Sequence, residues 1–194
     1  MLISAVGEPL QMDGYNSDGV LMMKLLRITV VIACCAFLIA CASSVGRPQG
    51  PSIYVYDGSK FGKVEMTVRE DATEDPNDRV RFEQDKLQEM IQRKLEVSGL
   101  LDDNSLKRVS VEITDIRIRS AFNAFMWGFM AGDDHIDGQI ALIGEDGKPV
   151  HYFNVSASYA LGGFAGINET RMSWLFEKFS ELTVNEIKGK PSDQ

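Results

Sequence analysis

The sequence holds three cysteines in 194 residues, all between positions 34 and 41, and none after them. A disulfide framework for a folded domain is excluded, and so is a thiol nucleophile downstream of residue 41. Histidine is scarcer still: His135 and His151 leave little for a tetrahedral metal centre. An excess of base is also missing. The formal net charge is -8 with a pI near 4.8, whereas a dedicated nucleic-acid binder would carry a basic patch or stripe. No Gly-x-Ser-x-Gly, Ser-x-x-Lys or Walker lysine marks an acyl- or phosphoryl-transfer site. Nor is there a long apolar run. The longest, Ile28 to Ala42, has fifteen positions, short of the roughly 20 that a membrane span needs.

That short run suits the apolar region of a secretory signal, with Lys24 and Arg27 as its basic start after Met22 and Met23. Residues 22–40 are therefore expected to be a signal peptide. Residues 1–21, polar and slightly acidic, are expected to be an upstream extension, from a misplaced start codon or removed with the signal. The run ends in Leu38-Ile39-Ala40-Cys41, which resembles the lipobox of bacterial lipoproteins. The resemblance implies lipid transfer to the Cys41 thiol, cleavage before it, and acylation of the new amino terminus. Val31-Ile32-Ala33-Cys34 fits the pattern too, but leaves only about six apolar residues ahead of the cut. An uncleaved anchor is the bland alternative, weakened by the short run and the absence of a basic stop after it. Ala42, rather than Asp, follows the cysteine. In Gram-negative lipoproteins that implies sorting to the outer membrane, with the domain facing the periplasm. Cys41–Gln194 would carry a net charge of -7 once three acids and two bases are removed.

Residues 41–51, with Gly46, Pro48, Gly50 and Pro51, read as a flexible tether, 52–189 as one domain, and 190–194 as a tail. Ser52 to Tyr56 and Val64 to Val68 read as short strands, and Asp78 to Ser98 as a helix striped by Val80, Leu87, Met90, Ile91 and Leu95. Phe82 falls off the stripe and leaves the helix start open by a few residues. Five carboxylates between Glu70 and Asp78 read as a solvated loop, without EF-hand spacing. In Lys107 to Arg119 the apolar phase changes at Thr114-Asp115, which predicts a bulge. Asp146-Gly147 predicts a hairpin turn between the runs 136–142 and 153–159. A last helix starts near Asn168, striped by Met172, Leu175, Phe176, Phe179, Leu182 and Ile187, and stops at Gly189. The sum is an α+β fold: one antiparallel or mixed sheet of four or five strands, with both helices on one face.

Three segments bear on function. Ala121 to Gly132 (AFNAFMWGFMAG) is apolar where a polar connection is expected. If exposed, Phe122, Phe125, Met126, Trp127 and Phe129 would contact a partner or a membrane; packed inward, they would complete the core. Gly162 to Gly166 is rich in glycine but lacks a phosphate-loop pattern, and reads as a flexible turn. Asp133, Asp134, His135 and Asp137 have the chemistry of metal ligands. Loop carboxylates with a strand-edge histidine are the plainer reading. With a turn at 146–147, position 142 lies near 151, so the two histidines are not neighbours.

In layout the mature chain resembles small bacterial lipoproteins of uncharacterised domain families. Only the lipobox is a specific motif. The resemblance implies a lipidated cysteine followed by one α+β domain, and the expectation is a lipid-anchored envelope protein without catalysis or cofactor, binding an envelope partner or a further copy of itself, or supporting envelope assembly or secretion. The 121–132 stretch leaves open an assembly role like that of pore-forming secretion lipoproteins. The competing reading is a periplasmic metal-binding or enzymatic domain that uses the 133–137 cluster.

Overall fold

Runs of alternating apolar residues become the middle of one sheet. The computed structural model describes residues 43–48, 55–72, 82–119, 133–159 and 168–190. The chain divides into two units, Met1–Ala40 and Cys41–Gln194, and every described residue lies in the second. Among the described residues there are five strands and two helices: β1 (Ser44–Gly46), β2 (Lys63–Val68), α1 (Gln84–Val97), β3 (Arg108–Arg117), β4 (Asp134–Ile143), β5 (Pro149–Tyr159) and α2 (Asn168–Ile187). The sheet order is β1-β5-β4-β3-β2. It is mixed: β2 runs parallel to β3, and every other neighbouring pair is antiparallel.

The change of phase in β3 is a bulge. Ile113 pairs with Gly138 and Asp115 with Asp137, so Thr114 has no partner. That extra residue lets Val109, Val111 and Ile113 share the helix-facing side with Ile116 and Ile118, all buried. The hairpin turns where expected, with Gly147 at φ 77°, and pairs Leu142 with His151. Leu87, Ile91 and Leu95 of α1 and Leu175, Phe179, Leu182 and Ile187 of α2 close over the same side. Two hydroxyls beneath α2 are satisfied within the helix. Ser180 Oγ donates to the Phe176 carbonyl at 2.7 Å and Thr183 Oγ1 to that of Phe179 at 2.8 Å.

Two expectations are corrected. Of the strand expected at 52–56, residues 52–54 lie outside the described residues, and Val55 and Tyr56 belong to no strand. The fifth strand comes instead from 44–46, inside the stretch expected to be a flexible tether. Three residues, one of them Gly46, carry too little apolar pattern to announce a strand; β5 recruits them by backbone pairing. Helix α1 begins at Gln84, later than Asp78, and its first residues reach back to the sheet. Gln84 Nε2 donates to the Met66 carbonyl and Gln88 Nε2 to that of Val64.

Candidate functional site

Strand direction places several chain segments at one end of the sheet. β3 ends there, β4 begins there, β5 ends there, and α2 returns from there. The connections 120–132 and 160–167 both leave and re-enter at this end, although their own residues lie outside the described set. A buried ionic knot fastens their roots. Asp134 Oδ1 accepts hydrogen bonds from the Arg119 backbone N–H (2.8 Å) and Nε (3.0 Å), while Oδ2 accepts one from Arg171 Nη1 at 2.5 Å. Arg171 Nη2 also donates to the Arg119 carbonyl at 2.8 Å. Arg119, Asp134 and Arg171 are 2%, 0% and 1% exposed, so the three charges are removed from water together. One carboxylate thus ties the exit from β3, the entry to β4 and the first turn of α2.

Beside the knot, β1 is clamped at both its ends. The Ser158 backbone N–H donates to Ser43 Oγ at 3.0 Å. Arg47 binds Glu186 in two-pronged fashion, Nε to Oε1 at 2.7 Å and Nη2 to Oε2 at 2.6 Å. The Glu186 hydrogen bond raises the Arg47 guanidinium above its ordinary pKa, against a smaller opposing effect of burial. Glu186 is buried and also lies 3.4 Å from His151 Nε2, while the His151 ring packs against Phe153 at 5.4 Å. We expect Arg47→Ala to cost about 1–3 kcal/mol, since it leaves a buried carboxylate short of its main donor. Faster proteolysis near residues 43–48, with α2 still protected, would show β1 loosened selectively.

The open face of the sheet carries the metal-type side chains, regrouped. Asp134 points away, into the knot. Asp115 from β3 takes its place beside His135 and Asp137, with donor atoms all within 4.8 Å of one another. His135 Nε2 is 3.2 Å from Asp115 Oδ2, and Nδ1 is 3.6 Å from Asp133 Oδ1. Asp137 also lines a shallow cavity of about 430 Å³ with Arg69, Gln139, Asn154 and Ser156. Chemically this is a three-donor site that would need water to complete any coordination sphere. On the other face, α1 and α2 leave a groove of about 1110 Å³ lined by apolar residues such as Met90, Met172, Phe176 and Val184 and by side chains of both charges.

Of the residues singled out from the sequence, Cys41, Phe122, Phe125, Met126, Trp127 and Phe129 lie outside the described residues, as does the 162–166 turn. His135 and Asp137 come together on one face, and His151 sits apart, as the hairpin register requires. Asp134, His135 and Asp137 are not loop residues: they belong to β4, in the interior of the sheet, and only Asp133 precedes it. His151 is buried on the helix-facing side of β5. The knot itself escaped sequence reasoning. Its signal was phase: Asp134 shares the inward parity of Ile136, and Arg171 stands one turn before Leu175 and two before Phe179.

A family described as a domain of unknown function (DUF4410) matches residues 50–163, more than half of the chain. No curated protein matches. Among solved structures, the PelC dodecamer from Paraburkholderia phytofirmans is similar at 13% identity and a TM-score of 0.43, covering 78% of this chain and all of that one. A single-substitution variant of the same protein gives 13% identity and a TM-score of 0.44, covering 77% of this chain and all of that one.

Proposed function

This chain belongs to the DUF4410 family of domains of unknown function, and on that premise we propose that it is a lipid-anchored bacterial envelope protein that binds a partner without catalysis. The observation that carries the reading joins sequence to fold. The lipobox Leu38-Ile39-Ala40-Cys41 stands directly before a strand, β1, which is built into the sheet from Ser44 and pinned by Ser43 and Arg47. A lipid on Cys41 would therefore hold the folded domain at the membrane with almost no slack. Several acyl chains, at about 0.8 kcal/mol per buried methylene, make such an anchor stable where one would not. Ala42 supports placement at the outer membrane, with the domain in the periplasm.

The expected result is that Cys41→Ser abolishes palmitate labelling and moves the protein from the membrane to the soluble fraction. Labelling that persists in the variant sinks the proposal. For the partner contact we assign Phe122, Phe125, Met126, Trp127 and Phe129, in the connection that leaves beside Arg119 and returns before Asp134. Replacing the aromatic members by Ser is expected to abolish a crosslinked complex while thermal unfolding stays unchanged. Unfolding of the domain would make them core residues instead. Mass spectrometry of that complex distinguishes an envelope partner from further copies of this chain.

A further inference from the structure

We propose that the corner of the sheet formed by Ser43, Tyr159 and Trp174 is the surface that faces the membrane, and that its partner is the boundary between lipid headgroups and acyl chains. The inference rests on the reading of Cys41 as lipidated. Its geometry comes from strand direction. β1 pairs antiparallel with β5, Ser44 opposite Ser156 and Gly46 opposite Asn154, so β1 starts where β5 finishes. Ser43 holds the backbone of Ser158, next to Tyr159, the last residue of β5. Cys41 is two residues before Ser43, a reach of at most about 7 Å for an extended chain. A lipid on Cys41 must then bring the bilayer to this corner and to no other part of the domain.

What stands there suits a bilayer boundary. Trp174 is 41% exposed, and its ring lies 5.1 Å from that of Tyr159. One turn earlier on the same helix, Thr170 is exposed and uncharged. Tryptophan and tyrosine gather at membrane interfaces because one part of the ring system is apolar and another holds a polar handle. A single exposed tryptophan means little by itself. Its place beside the only route to the anchor gives it meaning. The far end of the sheet is of opposite character: Glu145, Asp146 and Lys148 are all exposed there, about 33 Å away along β5. The exposed acids Glu70 and Asp71 follow β2, at the edge of the sheet opposite β1, about 19 Å across the strands.

The test uses the full chain, processed and lipidated, reconstituted in phosphatidylethanolamine–phosphatidylglycerol vesicles with and without brominated acyl chains. The chain has two tryptophans, so Trp127→Phe leaves Trp174 as the reporter. Loss of Trp174 emission in the brominated vesicles is the expected result. Unquenched emission with palmitate labelling intact overturns the orientation and assigns the aromatic pair to a protein partner, leaving the anchor untouched. Absence of labelling in the same preparation overturns the anchor and this inference together. If Trp127→Phe does not fold, nitroxide labels on Thr170→Cys and Asp146→Cys decide. The label at 170 should report lipid-soluble oxygen, and that at 146 the aqueous relaxant. Both labels in water, or the reverse order, overturns the proposal.

Discussion

Asp134→Ala is expected to lower the unfolding free energy by about 3–5 kcal/mol, because it removes the carboxylate that two buried guanidinium groups share. Urea midpoints, compared at unchanged slope, provide the measurement. The magnitude follows from geometry. Both carboxylate oxygens of Asp134 are engaged, and Arg119 and Arg171 are as buried as the aspartate itself. Neutralising the centre leaves like charges facing each other in a medium that solvates them poorly. Replacing all three residues with apolar ones of similar volume should recover much of the loss, since a buried ion cluster stabilises a fold less than its removal by halves destabilises it. A small effect of Asp134→Ala alone would mean that water enters the knot and that it does not anchor the two connections.

Phe179→Ala should cost a comparable amount, about 3–5 kcal/mol, as expected for a large aromatic deleted from a closed core. Phe179 is fully buried in the middle of α2, and its ring tip fills the space above Gly138. A Cβ at position 138 would lie 2.8 Å from Phe179 Cζ and 3.2 Å from the Glu112 carbonyl oxygen. The two sites are therefore coupled with a known sign. Gly138→Ala alone destabilises by overpacking, whereas in the Phe179→Ala background the same methyl enters the vacated volume and part of the loss is regained. Thermal unfolding of the four proteins in this cycle measures the coupling. Strict additivity would refute the contact.

Much of the fold was legible where the hydrophobic period was long. The bulge at Thr114 and the stripe of α2 follow from phase, and the turn at Gly147 from the Asp-Gly pair between two alternating runs. Phase also held the key to what was missed. Arg171 and Glu186 occupy the inward stripe of α2, and His151 the inward parity of β5, and none of the three was singled out as buried. Polar residues in an apolar phase are expected to be exposed unless a partner is known, and the partners here lie 37 and 35 positions away. Asp134 illustrates the same ambiguity. Reading it with its neighbours as a loop cluster joined two faces that β4 separates. β1 was invisible for a different reason: a three-residue strand is selected by its pairing edge and hardly at all by its own composition.

The pairing of β1 with β5 also sets an order of events. Ser43 and Ser158 are joined across 115 positions, and Arg47 and Glu186 across 139. Such distant closure is entropically late, after the β4–β5 hairpin and the α2 cover have formed. The earliest residues of the folded domain are thus the last to settle, and loss of the C-terminal helix would unfasten the N-terminal strand.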